Sequence, residues 1–263
     1  MSKSQDKSTT VPSVPSHIGF IVDGNRRWAK EHNLPTLEGH RLGFKKVEDI
    51  AEVIFDKGIK VASFYLFSTE NWQRSNEEVS YLMDLFRQNI TRLSKKLKKQ
   101  GVRMVWMGHS EPAPDDIIRA IEKAERDTAF GTKGTVVICF NYGGQWEIAD
   151  AAAHMMQERM MQFTSAFKDM VEGRADMESL RQVMREAGVV SPDDIAAYLY
   201  APEIPPCDLI VRTSGEQRIS GFQLWRAAYS ELLFLDKYFP DMELSDIDAV
   251  IAEYNSRSRR FGK

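Results

Sequence analysis

The chain of 263 residues carries 35 Lys and Arg against 38 Asp and Glu, a formal net charge of -3, with 43% hydrophobic and 28% charged residues. That balance excludes a histone-like nucleic-acid binder, and the apolar content excludes a disordered chain. No apolar run reaches the ~18 residues that cross a bilayer, and the length suits one large domain with material for a sizeable core.

Residues 1–16 are polar and have neither a hydrophobic centre nor the arginines of a transit peptide, so they are expected to form a disordered tail ahead of a domain over 17–263. This start points to the cytoplasm. Short apolar runs follow at Ile18 to Val22, Val61 to Phe67, Val102 to Met107, Thr135 to Phe140, Leu209 to Val211 and Leu232 to Leu235. They are β-branched and apolar on both faces, as strands buried in a parallel sheet are. Leu42, Val47, Ile50, Ala51 and Ile54 keep helical spacing, as do Val79, Leu82, Met83, Phe86, Ile90, Leu93 and Leu97. The second of these helices has a capping sequence from Ser75 and a lysine-rich end before Gly101. Those lysines read as a solvated helix end rather than a membrane or nucleic-acid patch. Alternation of strands and helices predicts an α/β fold, one domain with a central, mainly parallel six-stranded sheet.

Residues 151–200 read as helices with a turn near Gly173, and they hold seven of the 12 methionines: Met155, Met156, Met160, Met161, Met170, Met177 and Met184. Methionine packs adaptably, and ordinary helical core is the expectation here. Cys139 and Cys207 stand apart, outside any C-x-x-C pair, and are expected to be free buried thiols.

Polar residues collect where the apolar runs end. In open α/β sheets ligands sit at the carboxyl ends of strands, so these clusters are expected to meet in one crevice. Asp23-Gly24-Asn25-Arg26-Arg27-Trp28 offers a carboxylate for a cation, a glycine for close approach, a helix start for an anion and two guanidinium forks. A salt-bridged turn is the alternative, less favoured account of that segment. Gly39-His40 opens another helix. The second strand ends in Ser68-Thr69-Glu70-Asn71-Trp72-Gln73-Arg74, and the fifth in Arg212-Thr213-Ser214-Gly215-Glu216-Gln217-Arg218-Ile219-Ser220. Carboxylates and arginines converging this way, with Glu231 just before the last strand, suggest a metal–diphosphate site. No P-loop, dinucleotide fingerprint, nucleophile elbow or histidine spacing for a metal occurs.

Taken in order, the motifs resemble those of the cis-prenyltransferases, and most closely the bacterial undecaprenyl diphosphate synthases, from about His17 to Gly262. They are His17-Ile18-x-x-Ile21-x-Asp23-Gly24-Asn25-x-Arg27-Trp28-Ala29, Gly39-His40-x-x-Gly43, Phe67-Ser68-x-Glu70-Asn71-Trp72-x-Arg74 with Glu78, and Asn141-Tyr142-Gly143-Gly144. Next come Arg212-Thr213-x-Gly215-Glu216-x-Arg218-x-Ser220-x-Phe222-x-Leu224-Trp225, Tyr229-x-Glu231 and the ending Arg259-Arg260-Phe261-Gly262.

The resemblance implies condensation of isopentenyl diphosphate with an allylic diphosphate, farnesyl diphosphate, creating a Z double bond each cycle. Its product is expected to be undecaprenyl diphosphate, the lipid carrier for cell-wall glycans. It implies that Asp23 and Glu231 hold Mg2+, and that Gly24, Asn25, Arg26 and Arg27 cradle the allylic diphosphate near Trp28, Thr36 and His40. Asn71 stands where the C2 proton is lost. Ser68, Thr69, Glu70, Trp72 and Arg74 line the site, while Arg212, Arg218, Ile219 and Ser220 bind isopentenyl diphosphate. A hydrophobic product tunnel is implied, with the helix from Glu77 as a wall. So is a homodimer through Phe222 to Phe239, with peripheral contact at the inner membrane face and no nucleic-acid partner.

The chain departs from the family pattern in several places. Thr36 replaces a common arginine, which Arg26 is expected to offset, standing where several members have glycine. Gln217 stands where some members have histidine, and residues 155–190 look longer than in compact members. Leu66 replaces a smaller alanine and is expected to shorten the product. The other readings are a short- or medium-chain synthase, a non-catalytic partner subunit and a phosphatase.

Overall fold

The structure is a computed structural model and describes residues 14–257. Its strands are β1 (His17–Ile21), β2 (Val61–Ser68), β3 (Val102–Met107), β4 (Gly134–Tyr142), β5 (Leu209–Arg212) and β6 (Glu231–Phe234). Its helices are α1 (Asn25–Glu31), α2 (Thr36–Val53), α3 (Asn76–Gln100) and α4 (Asp115–Thr128), then α5 (Gly144–Val171), α6 (Met177–Ala187), α7 (Pro192–Ala196) and α8 (Leu244–Ser256).

The six strands form one sheet in the order β3-β4-β2-β1-β5-β6. Every pairing is parallel, so the expected sheet is found in its purest form. A parallel sheet needs both faces covered, which is why all five residues of β1 are buried. From β1 the chain steps to β2 on one side, and β5 later lands on the other. The crevice of such a sheet opens at that switch, outside the carboxyl end of β1.

One face packs under α2, α3, α4 and α8 in a core that includes Phe20, Phe64, Phe86, Phe140 and Ile247. Each such side chain contributes about 2 kcal/mol by leaving water. The other face is thinner and holds Tyr65, Cys139, Tyr142, Cys207 and Phe222. Both cysteines are free and buried, as expected.

Helix α3 starts where its sequence says. Ser75 Oγ accepts the Glu78 N–H at 3.3 Å, and Gly101 ends the helix at φ 70°. The lysine-rich end is partly structural: Lys96 Nζ lies 3.1 Å from Glu48, which is only 1% exposed, and 3.0 Å from Glu52.

Two expectations change here. Residues 1–13 of the expected tail and Arg259 to Gly262 lie outside the described residues, but Val14 already packs on the core and the Ser16 N–H donates to Asp208 at 2.7 Å. The methionine-rich helices are not core. Met155 is buried, yet Met156, Met160 and Met161 are 60–66% exposed, and Met177 and Met184 are half exposed. Helical spacing identified the helices and their turn correctly. What it lacked was any sign that α5, after burying Glu147, Ala151 and Met155, runs on beyond the sheet. In the segment Phe222 to Phe239 both end phenylalanines are fully buried, Tyr229 and Leu232 are exposed, and Leu224, Trp225, Leu233, Phe234, Leu235 and Tyr238 are partly buried.

Candidate active site

The site begins with a turn. After β1, Gly24 takes φ +101°, where a Cβ would stand 2.6 Å from the Tyr238 ring. Only glycine fits there. The turn aims the Asp23 carboxylate across the strand ends and starts α1. Helix α2 crosses α1 tightly, because a Cβ on Gly39 would lie 2.0 Å from the Asn25 carbonyl oxygen and one on Gly43 2.6 Å from Asn25 Oδ1. The two glycines of Gly39-His40-x-x-Gly43 thus set how far Asn25 sits from α2.

Asp23 is the electrostatic centre. Its Oδ1 accepts the Gly24 N–H at 2.7 Å and lies 3.4 Å from Arg27, while Oδ2 accepts from Arg212 at 2.8 Å. Burial pushes the carboxyl up. The Arg212 hydrogen bond and charge, the Gly24 N–H and Arg27 outweigh that and hold it below the usual carboxylate range. Asp23 is therefore ionised at neutral pH. Arg27 reaches across to the β5 end, donating to Ser214 Oγ at 2.6 Å and Glu216 at 3.1 Å. Arg212 donates to Ser220 Oγ at 2.8 Å and to the Arg218 carbonyl at 2.5 Å, and its Nε is buried without a partner.

A second cluster faces Asp23. Glu78, on the first turn of α3, accepts from Arg74 at 2.9 Å, meets His40 Nε2 at 3.1 Å and lies 3.7 Å from Arg26. Burial lowers the His40 pKa. The Glu78 contact raises it, the Arg74 and Arg26 charges lower it again, and the net is below the ordinary histidine value. Asn71 Oδ1 accepts the Ser68 N–H at 3.1 Å, which fixes the amide at the β2 end.

These groups enclose two adjoining spaces. The outer cleft, about 630 Å³, is lined by Asp23, Gly24, Asn25, Arg26, Arg27 and Lys30, with Leu34, Thr36, His40 and Arg74. The inner one, about 200 Å³, shares Asp23, Asn25, His40 and Arg74 and adds Ser68, Asn71, Arg212 and Ser220. Leu66 and Leu82 give it an apolar wall. Most of the residues singled out in the sequence therefore converge, as strand-end clustering predicts.

Others do not. The Trp28 indole N–H donates to Asp241 at 2.5 Å and its ring stacks on His32, so it braces α1 from behind. Trp72 donates to Asn141 at 2.8 Å and packs on Phe67. Thr69 faces Gly143, Glu70 is exposed, and Ile219 packs against the thinner core. The Arg218 side chain is 60% exposed and paired with Glu216. Glu231 is at the wrong end of the sheet within one chain. It opens β6 opposite Leu209, whereas Asp23 follows Ile21, which lies in register with Arg212 and hence with Phe234. Three parallel-strand steps, about 10 Å, separate those ends. Its carboxylate instead accepts from Arg257 at 3.0 Å.

Sequence reading had not placed Lys30, Tyr65 or Glu78 in the site. Lys30 lies four residues after Arg26 on the same helix, so the helical period could have flagged it. Tyr65 lies inside an apolar run, where nothing distinguishes it from core.

Among the described residues no group of three or more His, Cys, Asp or Glu could hold a metal. The donor set still suits Mg2+, which keeps several waters and takes one or two carboxylates plus substrate phosphates. Asp23 supplies such a carboxylate, and the surrounding cations suit the phosphates.

Residues 21–262 match the family model described as putative undecaprenyl diphosphate synthase. The isoprenyl transferase of Thermotoga maritima is 38% identical over 95% of this chain and 97% of its own length. The decaprenyl diphosphate synthase of Mycobacterium tuberculosis is 40% identical over 95% of this chain and 77% of its own. Among solved structures, lavandulyl diphosphate synthase from Lavandula x intermedia, in complex with dimethylallyl diphosphate, superposes with a TM-score of 0.80 at 26% identity, covering 95% of this chain and 99% of that one. With its parallel sheet, its cation-ringed cleft and these relatives, the chain belongs to the cis-prenyltransferase family and is a prenyl diphosphate synthase.

Proposed function

We propose that the enzyme condenses isopentenyl diphosphate with farnesyl diphosphate to make undecaprenyl diphosphate. One observation carries the reading: a cleft ringed by Arg26, Arg27, Lys30 and Arg74 opens into a pocket that pairs Asp23 and Arg212 with apolar Leu66 and Leu82. The charged part suits a diphosphate and the apolar part a prenyl chain.

The allylic diphosphate sits in the outer cleft, held by Arg26, Arg27 and the free N–H groups of α1. As the C–O bond breaks, charge grows on that diphosphate, and fixed cations stabilise it more than the ground state. Asp23 would hold a Mg2+, which when bound would supply Lewis-acid stabilisation to the departing diphosphate. Arg212, Arg218 and Ser220 take isopentenyl diphosphate, with Arg218 turning from Glu216 to reach it. Asn71 orients the carbon that loses its proton. An amide is too weak a base to keep the proton, which passes to the released diphosphate or to water. Thr36 lines the cleft without a charge, and Arg26 supplies the missing one.

Glu231 serves Mg2+ only if a second copy brings it to Asp23, so it is proposed as a residue of the homodimer. The growing chain passes Leu66 and Leu82 toward α3, where Leu85, Phe86 and Ile90 are now packed core. No helix among the described residues is long and apolar enough to cross a membrane. Peripheral membrane contact is proposed for product release.

The test incubates the protein with radiolabelled isopentenyl diphosphate, farnesyl diphosphate and Mg2+, then sizes the product. A C55 ladder supports the reading. A shorter ladder moves it to a medium-chain synthase, and Leu66→Ala then lengthens the product if Leu66 sets the limit. Phosphate release without isopentenyl diphosphate, or no turnover at all, overturns it.

A further inference from the structure

We infer that Tyr238 is a positioning residue for the diphosphate cleft: its ring backs the Gly24 turn and holds the Arg27 guanidinium at the angle the cleft uses. This rests on the proposed reading of the cleft as a diphosphate site.

The segment around Tyr238 is stapled to both sides of the site. The Ser214 N–H donates to the Lys237 carbonyl at 2.7 Å, and the Phe239 N–H donates to the Asp23 carbonyl at 3.1 Å. The backbone at Tyr238 therefore lies between the loop after β1 and the loop after β5. It cannot shift without moving Asp23 or Ser214.

From that fixed base the ring runs along α1. A Cβ on Gly24 would meet the Tyr238 Cδ1 at 2.6 Å, so the turn rests directly on the ring. The Arg27 guanidinium carbon lies 5.9 Å from the ring centroid, within reach of a cation–π attraction. The hydroxyl donates to Glu31, which follows Arg27 by four residues and shares its helix face. One side chain thus spans α1 from its first turn to its last, with Arg27 between.

Arg27 is held at its Nη atoms by polar partners, and the ring adds a contact on the guanidinium face. Its side chain is 42% exposed, and it reaches between Asp23, Ser214 and Glu216. An arginine free to swing would lose entropy on each binding event. Holding it in place beforehand removes that cost. The aromatic face does this without using an N–H donor. Nη1 donates to the Ser214 carbonyl and Glu216, and Nη2 to Ser214 Oγ and Asp23, so a phosphate oxygen reaches Arg27 by displacing one of these partners.

The experiment compares Tyr238→Leu, Tyr238→Met and Tyr238→Phe, each checked for folding by circular dichroism and melting temperature. Binding of inorganic diphosphate is measured by calorimetry, and KM is measured for each substrate. The Leu and Met variants are expected to bind diphosphate about fivefold more weakly, a cation–π contact of about 1 kcal/mol. KM should rise for the allylic substrate and not for isopentenyl diphosphate. Tyr238→Phe, which keeps the ring, should restore both. In an Arg27→Ala background, Tyr238→Leu should add nothing. Equal binding by wild type and the Leu and Met variants overturns the inference. So does a Phe variant no better than Leu, an equal rise in both KM values, or loss of folding in both aliphatic variants, which makes Tyr238 a stability residue. A folded wild type that binds no diphosphate overturns the cleft reading, and with it this inference.

Discussion

The cleft and the α5–α6 arm use the same kinds of side chain in opposite ways. In the cleft the central charges Asp23, Arg27, Arg212 and Glu78 each have several partners, some of them from distant parts of the chain. Arg27 touches Asp23, Ser214 and Glu216, and Glu78 gathers Arg74, His40 and Arg26. On the arm the charges pair locally and in the open, Arg174 with Asp169 and Arg185 with Glu178. Such exposed pairs contribute little to stability. The cleft's charges are held by the fold before any ligand arrives, which is the arrangement that stabilises developing charge. Charge content alone does not mark a site. Charge fixed by long-range contacts does.

The largest effect should follow from breaking the best-connected group. Asp23→Ala removes the carboxylate that Arg212 and Arg27 share. Steady-state kinetics should show kcat falling by about 100- to 1,000-fold, the scale seen when one preorganised electrostatic group is lost. Near wild-type turnover would remove Asp23 from the centre of the mechanism.

A second test uses pH. His17, at the start of β1, is fully buried, with Nδ1 at 2.9 Å from the Pro205 carbonyl and Nε2 at 2.7 Å from Ser63 Oγ. Burial lowers its pKa to about 4, against a raising hydrogen bond to the Pro205 carbonyl and a further lowering by Arg226. The unfolded chain takes up the proton near pH 6.5. Below that pH the unfolded state binds more protons, so stability falls as pH drops from about 6.5 to about 4, by as much as about 3 kcal/mol. His17→Gln should flatten denaturant midpoints across that window. An unchanged slope would show that another group carries it.

Gly39→Ala comes next. Its Cβ would lie 2.0 Å from the Asn25 backbone oxygen, so α1 and α2 must part. A loss of about 2 kcal/mol in denaturant stability is expected, as for other overpacked contacts, together with a higher KM for the allylic substrate. Retained stability with normal KM would show that the crossing is loose.

Much of this was legible in the sequence, and the misses have physical causes. Strands buried on both faces announce a parallel sheet, and polar runs at their ends announce the crevice, so Asp23, Asn71 and Arg212 were found. Trp28 and Trp72 belong to the same runs, but consecutive residues point different ways, and a run does not say which ones face the ligand. Glu231 stands apart from Asp23 within one chain for a topological reason. In a parallel sheet the residue that opens a strand lies at the end away from the crevice. The methionines failed because helical spacing shows that a helix has an apolar face, not that anything covers it.

That last point can be measured directly. Leu93 on α3 and Met160 on α5 are both large apolar residues of long helices, yet Leu93 is 1% exposed and Met160 66%. Leu93→Ala should cost about 3 kcal/mol, a lost buried side chain plus the cavity it leaves. Met160→Ala removes side-chain surface that is already largely in water. In dilute protein it should change stability by less than about 0.5 kcal/mol. Repeating the Met160 measurement at rising protein concentration adds a second reading. A monomer shows no concentration dependence, whereas a second copy covering α5 makes the cost of Met160→Ala grow as association rises, because the apolar face is then buried by mass action. A large effect in dilute protein would mean that α5 packs against the rest of the chain, and that the contrast between these two helices is not real.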